Sequence, residues 1–122
     1  MKKISLYEDY IEGIFDCDAA CWFIVNKKHH KTFIEILATK LIESGCRHFD
    51  FVGKYAQKWK IIFDDTEAAI KPDLSVENGA ITIAWDNNAD FAQELEWSRK
   101  QRNYIFYDDE KLLNEIGEIY IH

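Results

Sequence analysis

The sequence predicts an α/β fold: one small domain built on a mainly parallel sheet of four or five strands, with helices packed on its faces. Three observations carry that expectation. The run Ala20-Cys21-Trp22-Phe23-Ile24-Val25 is continuously apolar, too short for a buried helix and rich in aromatic and β-branched residues, as strands covered on both faces are. Apolar residues then recur with helical spacing at Phe33, Ile34, Ile36, Leu37, Leu41 and Ile42. From there to the end of the chain strand-like and helix-like segments alternate, which calls for crossover connections between parallel strands.

Each element has its own signals. Ala20 to Val25 is expected at the centre of the sheet, and Asn26 to Lys31 forms a polar turn after it. Thr32 and Glu35 stand in the spacing of a capping box, which places the first helix start at Thr32, and Ser44-Gly45 supplies its stop. His48 to Val52 alternates as a strand and ends at Gly53, a backbone position without a Cβ. Tyr55, Trp59, Ile62 and Phe63 then repeat as a helix that Pro72 must end, with Asp64-Asp65 able to divide it into two pieces. Asn78-Gly79 turns the chain into a strand from Ala80 to Trp85. Asp86, Asn87 and Asn88 offer N-caps for a helix bearing Phe91, Leu95 and Trp97, with Arg99, Lys100 and Arg102 complementing the dipole of its last turn. Tyr104 to Tyr107 reads as a short strand, and Asp108-Asp109-Glu110 opens a helix with Leu112, Leu113 and Ile116 that Gly117 would close. Ile119 to Ile121 then reads as a fifth strand or a tail on the sheet edge. No repeat or linker divides the chain, so residues 1–122 are taken as one domain; residues 1–19 have no clear assignment, and Tyr7 to Phe15 fits a loop, a short helix or an edge strand.

Composition narrows the classes. At 122 residues, 48% hydrophobic and 30% charged, the chain has room for one core and is neither disordered nor fibrous. No apolar run nears the roughly 20 residues that span a bilayer, and Met1-Lys2-Lys3 does not lead into an apolar signal core; a cytoplasmic protein with no membrane contact is expected. The net charge of -7 opposes binding to a phosphate backbone, so no nucleic-acid partner is expected. Charge is unevenly spread. Residues 1–61 carry 10 basic and 8 acidic side chains, whereas residues 62–122 carry 5 and 14, and Glu8, Asp9, Glu12, Asp16 and Asp18 crowd one early segment. The three cysteines, Cys17, Cys21 and Cys46, lack metal-ligand spacing, and Lys27, Lys28 and Lys31 beside His29-His30 oppose a cation; buried reduced thiols, no metal and no cofactor are expected.

In an open parallel sheet ligands bind beyond the carboxyl ends of the strands, here Asn26 to His30, Gly53-Lys54, Asp86 to Asn88 and Asp108 to Glu110. Those loops hold one glycine and neither phosphate-loop motif, and no serine sits in a nucleophile elbow. Asp86, Asp108 and Asp109 could form a magnesium site opposite His29-His30, the basis of an alternative reading as a metal-dependent phosphotransfer or hydrolytic domain. Their ordinary reading is that Asp86 and Asp108 are helix N-caps. Most of the aromatic residues belong to the core, Trp22, Trp59 and Trp85 among them, whereas Trp97, beside Glu94 and Glu96, fits an interface anchor.

A small, acidic α/β chain without a catalytic constellation resembles the immunity proteins of bacterial polymorphic toxin systems, including contact-dependent growth inhibition. The resemblance lies in size, charge and architecture over the whole chain and rests on no diagnostic motif. It implies a non-enzymatic protein that binds a basic, nuclease-type toxin domain and blocks it with a carboxylate-rich surface. Asp64, Asp65, Glu67, Asp86, Asp108, Asp109 and Glu110, with Trp97 as anchor, are the partner-facing residues expected on that reading, none of them catalytic. A homo-oligomer joined through an exposed sheet edge is a further expectation.

Overall fold

From the second strand onward, strands and helices alternate among the described residues. In chain order the elements are β1 (Lys2–Ser5), β2 (Ala20–Ile24), α1 (Lys31–Glu43), β3 (His48–Val52), α2 (Ala56–Ile70), β4 (Ile81–Ala84), α3 (Asn88–Trp97), β5 (Asn103–Tyr107) and α4 (Glu110–Ile121). The computed structural model describes residues 2–7, 20–72, 79–97 and 103–121, and the side chains of all of these except 96, 97 and 119–121. The expectations for Glu8 to Asp18, Cys17, Asn78, Arg99, Lys100 and Arg102, and for the Trp97 side chain, lie outside what is described.

The five strands form one sheet in the order β1-β5-β2-β3-β4, every neighbouring pair parallel. β2 is central, as its composition requires: all five residues are buried. On one face Phe23 stacks between Phe51 of β3 and Phe106 of β5, each ring 4.9 Å away, because strand register sets the three residues side by side. Trp59 and Phe63 of α2 and Ile34, Leu37 and Leu41 of α1 close over this row. Burying one such ring contributes about 1.5–3 kcal/mol. On the other face Trp22, Ile24 and Ile105 meet Phe91 and Leu95 of α3 and Leu112, Leu113 and Ile116 of α4. Trp22 also donates its indole N–H to the buried Asn103 side chain at 3.0 Å.

Several local expectations shift. α1 starts at Lys31, with His30 at the N-cap and no side-chain cap bond, so Thr32 falls inside the first turn and the expected capping box is not formed. The loop before α1 is held from β5, as described below, and that grip fixes the start. Its buried face is Ile34, Leu37, Ala38, Leu41 and Ile42, while Ile36 is 54% exposed. The stop is as expected: Gly45 takes φ 92°, and the N–H groups of Gly45 and Cys46 close back on Ile42 and Leu41, a Schellman arrangement. α2 runs unbroken through Asp64 and Asp65, since Asp64 is engaged by Lys60 and Thr82 and does not compete for its own backbone. Residues 119–121 belong to α4 and make no strand; Gly117 has no positive φ and so does not terminate the helix. The fifth strand is β1, at the sheet edge.

Topology then defines one special place. β2 leads through α1 to β3 on one side, while β5 lies on the other side of β2 and leads into α4 on the opposite face. The loops after β2 and β5 therefore part company, and the crevice between them is where ligands of open α/β sheets bind.

Candidate functional site at the carboxyl end of the sheet

At this crevice Asp108, the residue following β5, reaches across to the loop after β2. Its Oδ1 accepts from the Asn26 N–H at 2.8 Å, its Oδ2 accepts from the Lys27 N–H at 3.0 Å, and His29 Nε2 lies 2.9 Å from Oδ2. The Asp108 side chain is 0% exposed and that of His29 8%. Asn26 continues the stitching: its amide donates to Asp109 Oδ2 at 3.0 Å and its oxygen accepts from the Lys54 N–H at 3.2 Å. Three loops are thus joined by two side chains.

Around the knot, His29 packs against Phe33, Trp59 and the exposed ring of Tyr7. Lys58 Nζ donates to the His29 carbonyl at 3.3 Å, and Lys27 Nζ stands 3.9 Å from Asp109. The Asn26 amide, the Leu112 N–H and Lys27 hold the Asp109 carboxyl below its ordinary range. Desolvation, with Asp108 and Asp109 close by, pushes the Tyr7 hydroxyl up. The turn after β3 presses on the same loop, since Gly53 has φ +115° and a Cβ there would stand 2.7 Å from the Val25 carbonyl oxygen.

The carboxylates expected to act together are divided by the sheet. Asp86 is exposed beyond β4, three strands from Asp108, or about 14 Å at the usual strand spacing. Asp109 and the exposed Glu110 are beside Asp108. Asp64, Asp65 and Glu67 belong to α2: Asp64 takes Lys60 at 2.8 Å and the Thr82 hydroxyl at 2.6 Å, Glu67 takes the Ala80 N–H at 2.9 Å, and Asp65 is exposed beside the groove between α1 and α2. Asp86 and Asp108, read as caps, each yield to the next residue, and for α3 that residue, Asn87, is one of the three candidates the sequence offered. Asn87, not Asp86, caps α3, accepting from the Asp90 N–H and donating to its carboxylate, both at 2.8 Å; Asp109, not Asp108, caps α4 through the Leu112 N–H at 3.1 Å. Asp108 was expected on the partner-facing surface and is buried in the knot instead.

Chemically, the knot braces loops. Both Asp108 oxygens are occupied by donors within the chain, and among the described residues no group of three or more His, Cys, Asp or Glu is placed to hold a metal ion. Cys21 and Cys46 are buried, as expected, and lie beside one another; the hydrogen bond that the Cys21 thiol donates to Cys46 and then burial hold that thiol well above its ordinary range, where it is inert. The roles of Asn26 and Tyr7 were not anticipated, and His29 and Asp108, expected to face one another, are in direct contact. A second buried acid was also missed: Asp50 in β3 is 8% exposed and accepts from the Trp85 indole N–H at 2.9 Å, and desolvation, opposed by that bond and helped by Glu94, pushes its carboxyl up to about 6. An acid in the middle of the apolar strand HFDFV was the available signal for Asp50.

Fold and site together define a class: an open, all-parallel α/β sheet whose switch-point crevice is laced by its own side chains. No family model matches the chain, and comparison with curated proteins and with solved structures yields no match either.

Charge follows the layers. α3 and α4 carry six acids (Asp90, Glu94, Glu96, Glu110, Glu115, Glu118) against one base, Lys111, whereas α1 and α2 carry five acids against Lys31, Lys40, Lys58 and Lys60. Among the described residues no helix is long and apolar enough to cross a membrane.

Proposed function

We propose that this chain is a non-enzymatic, acidic binding protein of the immunity kind, acting in the cytoplasm, which neutralises a basic, nuclease-type toxin domain by electrostatic and steric blocking. The observation that carries this reading is the acidic layer of α3 and α4, a one-sided negative field of the sort that steers a basic partner into contact. Asp86, Asp90, Glu94 and Glu110 are exposed and available to it. The laced crevice supports the same reading, because the polar groups at the usual ligand position are spent on holding the scaffold rigid.

The test is co-expression with a basic, growth-arresting domain encoded next to this chain. Cells that make both should grow, and the Glu110→Lys, Glu115→Lys double variant, folded by circular dichroism, should lose the protection. Growth arrest in the presence of the unaltered chain would overturn the reading.

A further inference from the structure

The outer edge of the sheet is unusual in what it leaves open. β4 pairs with β3 alone among the described residues. The N–H groups of Ile81 and Trp85 donate to Arg47 and Phe51 on the β3 side, both at 2.7 Å. Because alternate residues of a strand turn their backbone groups to opposite sides, the amides of Thr82 and Ala84 point outward. Ile81 and Ile83 are 54% and 39% exposed. From Gly79 to Trp85 the sequence GAITIAW has neither charge nor proline, the devices by which edge strands ordinarily escape pairing.

Acids rim this edge. Asp64 and Glu67 of α2 bond to Thr82 and Ala80, and the exposed Asp86 follows the strand. Of the bases nearby among the described residues, Lys60 is paired with Asp64 and Arg47 is engaged, while Lys71 at the end of α2 is exposed. Two copies placed edge to edge would set each acidic rim against its duplicate, which disfavours self-pairing.

We infer that the free edge of β4 is a docking site for an extended, basic segment of a protein partner, which adds a strand to the sheet there. Main-chain bonds to Thr82 and Ala84 supply the attachment, Ile81 and Ile83 receive its apolar side chains, and the rim selects positive charge. The basic character of the occupant rests on the proposed function; the openness of the edge does not.

The experiment is amide hydrogen exchange by NMR on the full chain with two end-blocked peptides of about eight residues, one alternating Lys and Val, the other Glu and Val. The Lys–Val peptide should slow exchange at Thr82 and Ala84 by about tenfold or more at saturation, with no effect from the Glu–Val peptide. Ile83→Lys, its spectrum otherwise unchanged, should abolish the protection. Binding of the Lys–Val peptide with shifts on α3 and α4 but no protection of Thr82 and Ala84 would overturn the docking edge and leave the acidic-binder reading standing. Equal protection by both peptides would overturn the basic occupant, and failure of both to bind would overturn the docking edge, the co-expression test alone deciding the acidic-binder reading. Protection that appears without peptide and is lost on dilution would identify a second copy as the occupant and overturn the inference.

Discussion

Asp108 shows how much one buried carboxylate can organise. Two oxygens accept from two backbone N–H groups and lie against one imidazole, so truncation would orphan Asn26 N–H, Lys27 N–H and His29 together. Asp108→Ala should cost about 3 kcal/mol in urea unfolding. Asp108→Asn should cost nearly as much, because its amide would face donors; an unchanged midpoint in both variants would contradict the bracing role. Asp50 gives the opposite case, a buried acid that destabilises when charged. Its folded value of about 6 lies above the ordinary 3.8, so the folded state holds the proton more tightly. The stability this confers is complete below about pH 4 and is lost as pH rises through about 6. Asp50→Asn, which keeps an acceptor for Trp85, should therefore gain about 3 kcal/mol over the parent at about pH 8 and almost nothing at about pH 4. A gain that does not vary with pH would contradict this. Asp50 was legible in the sequence as a polar break in an apolar alternation. The partners of Asp108 were not, since they depend on β5 lying beside β2 after about 80 intervening residues.

At the scale of elements, what local chemistry decides was readable and what neighbours decide was not. The run from Ala20 to Val25, the strand from His48 to Val52 and the Gly45 stop need only their own residues, and all three stand in the structure, though Phe49 to Val52 are buried on both faces rather than alternating. The start of α1 is misread by two positions, because the Asp108 side chain beyond β5 sets it; for α3 the cap is Asn87, one of the three candidates offered, and for α4 it is Asp109, which has the geometry that Asp108 lacks. The Gly53 turn shows why a glycine was needed between β3 and α2. Its positive φ and the Val25 oxygen 2.7 Å from a would-be Cβ both exclude a side chain, so Gly53→Ala should lower stability by about 2–4 kcal/mol, read from thermal or urea unfolding. A variant as stable as the parent would show that the turn relaxes without cost. The order of strands was not legible, since nothing local says that the crossover from β4 passes β3 and β2 before β5 pairs.

For the whole molecule, the contrast between the two halves of the sequence becomes a contrast between two layers, though not along the same boundary. α2 straddles the midpoint of the chain and packs with α1, so its acids Asp64, Asp65 and Glu67 are separated from the acidic layer of α3 and α4 by the sheet. The carboxylates read together in sequence therefore do not make one patch; of the exposed ones Asp65 lies beside the groove between α1 and α2, which leaves Glu110 in the α3/α4 layer and Asp86 at the rim of β4. Binding of a basic partner to either would be driven by long-range attraction that salt screens within about 10 Å. The most direct measurement is the association rate constant with the basic partner domain across ionic strength, for the parent and for Glu110→Lys with Asp90→Lys. The rate should fall by about tenfold or more between about 50 and about 500 mM salt, and the variant should associate more slowly at low salt and converge with the parent at high salt. A rate indifferent to salt and to charge reversal would contradict the account.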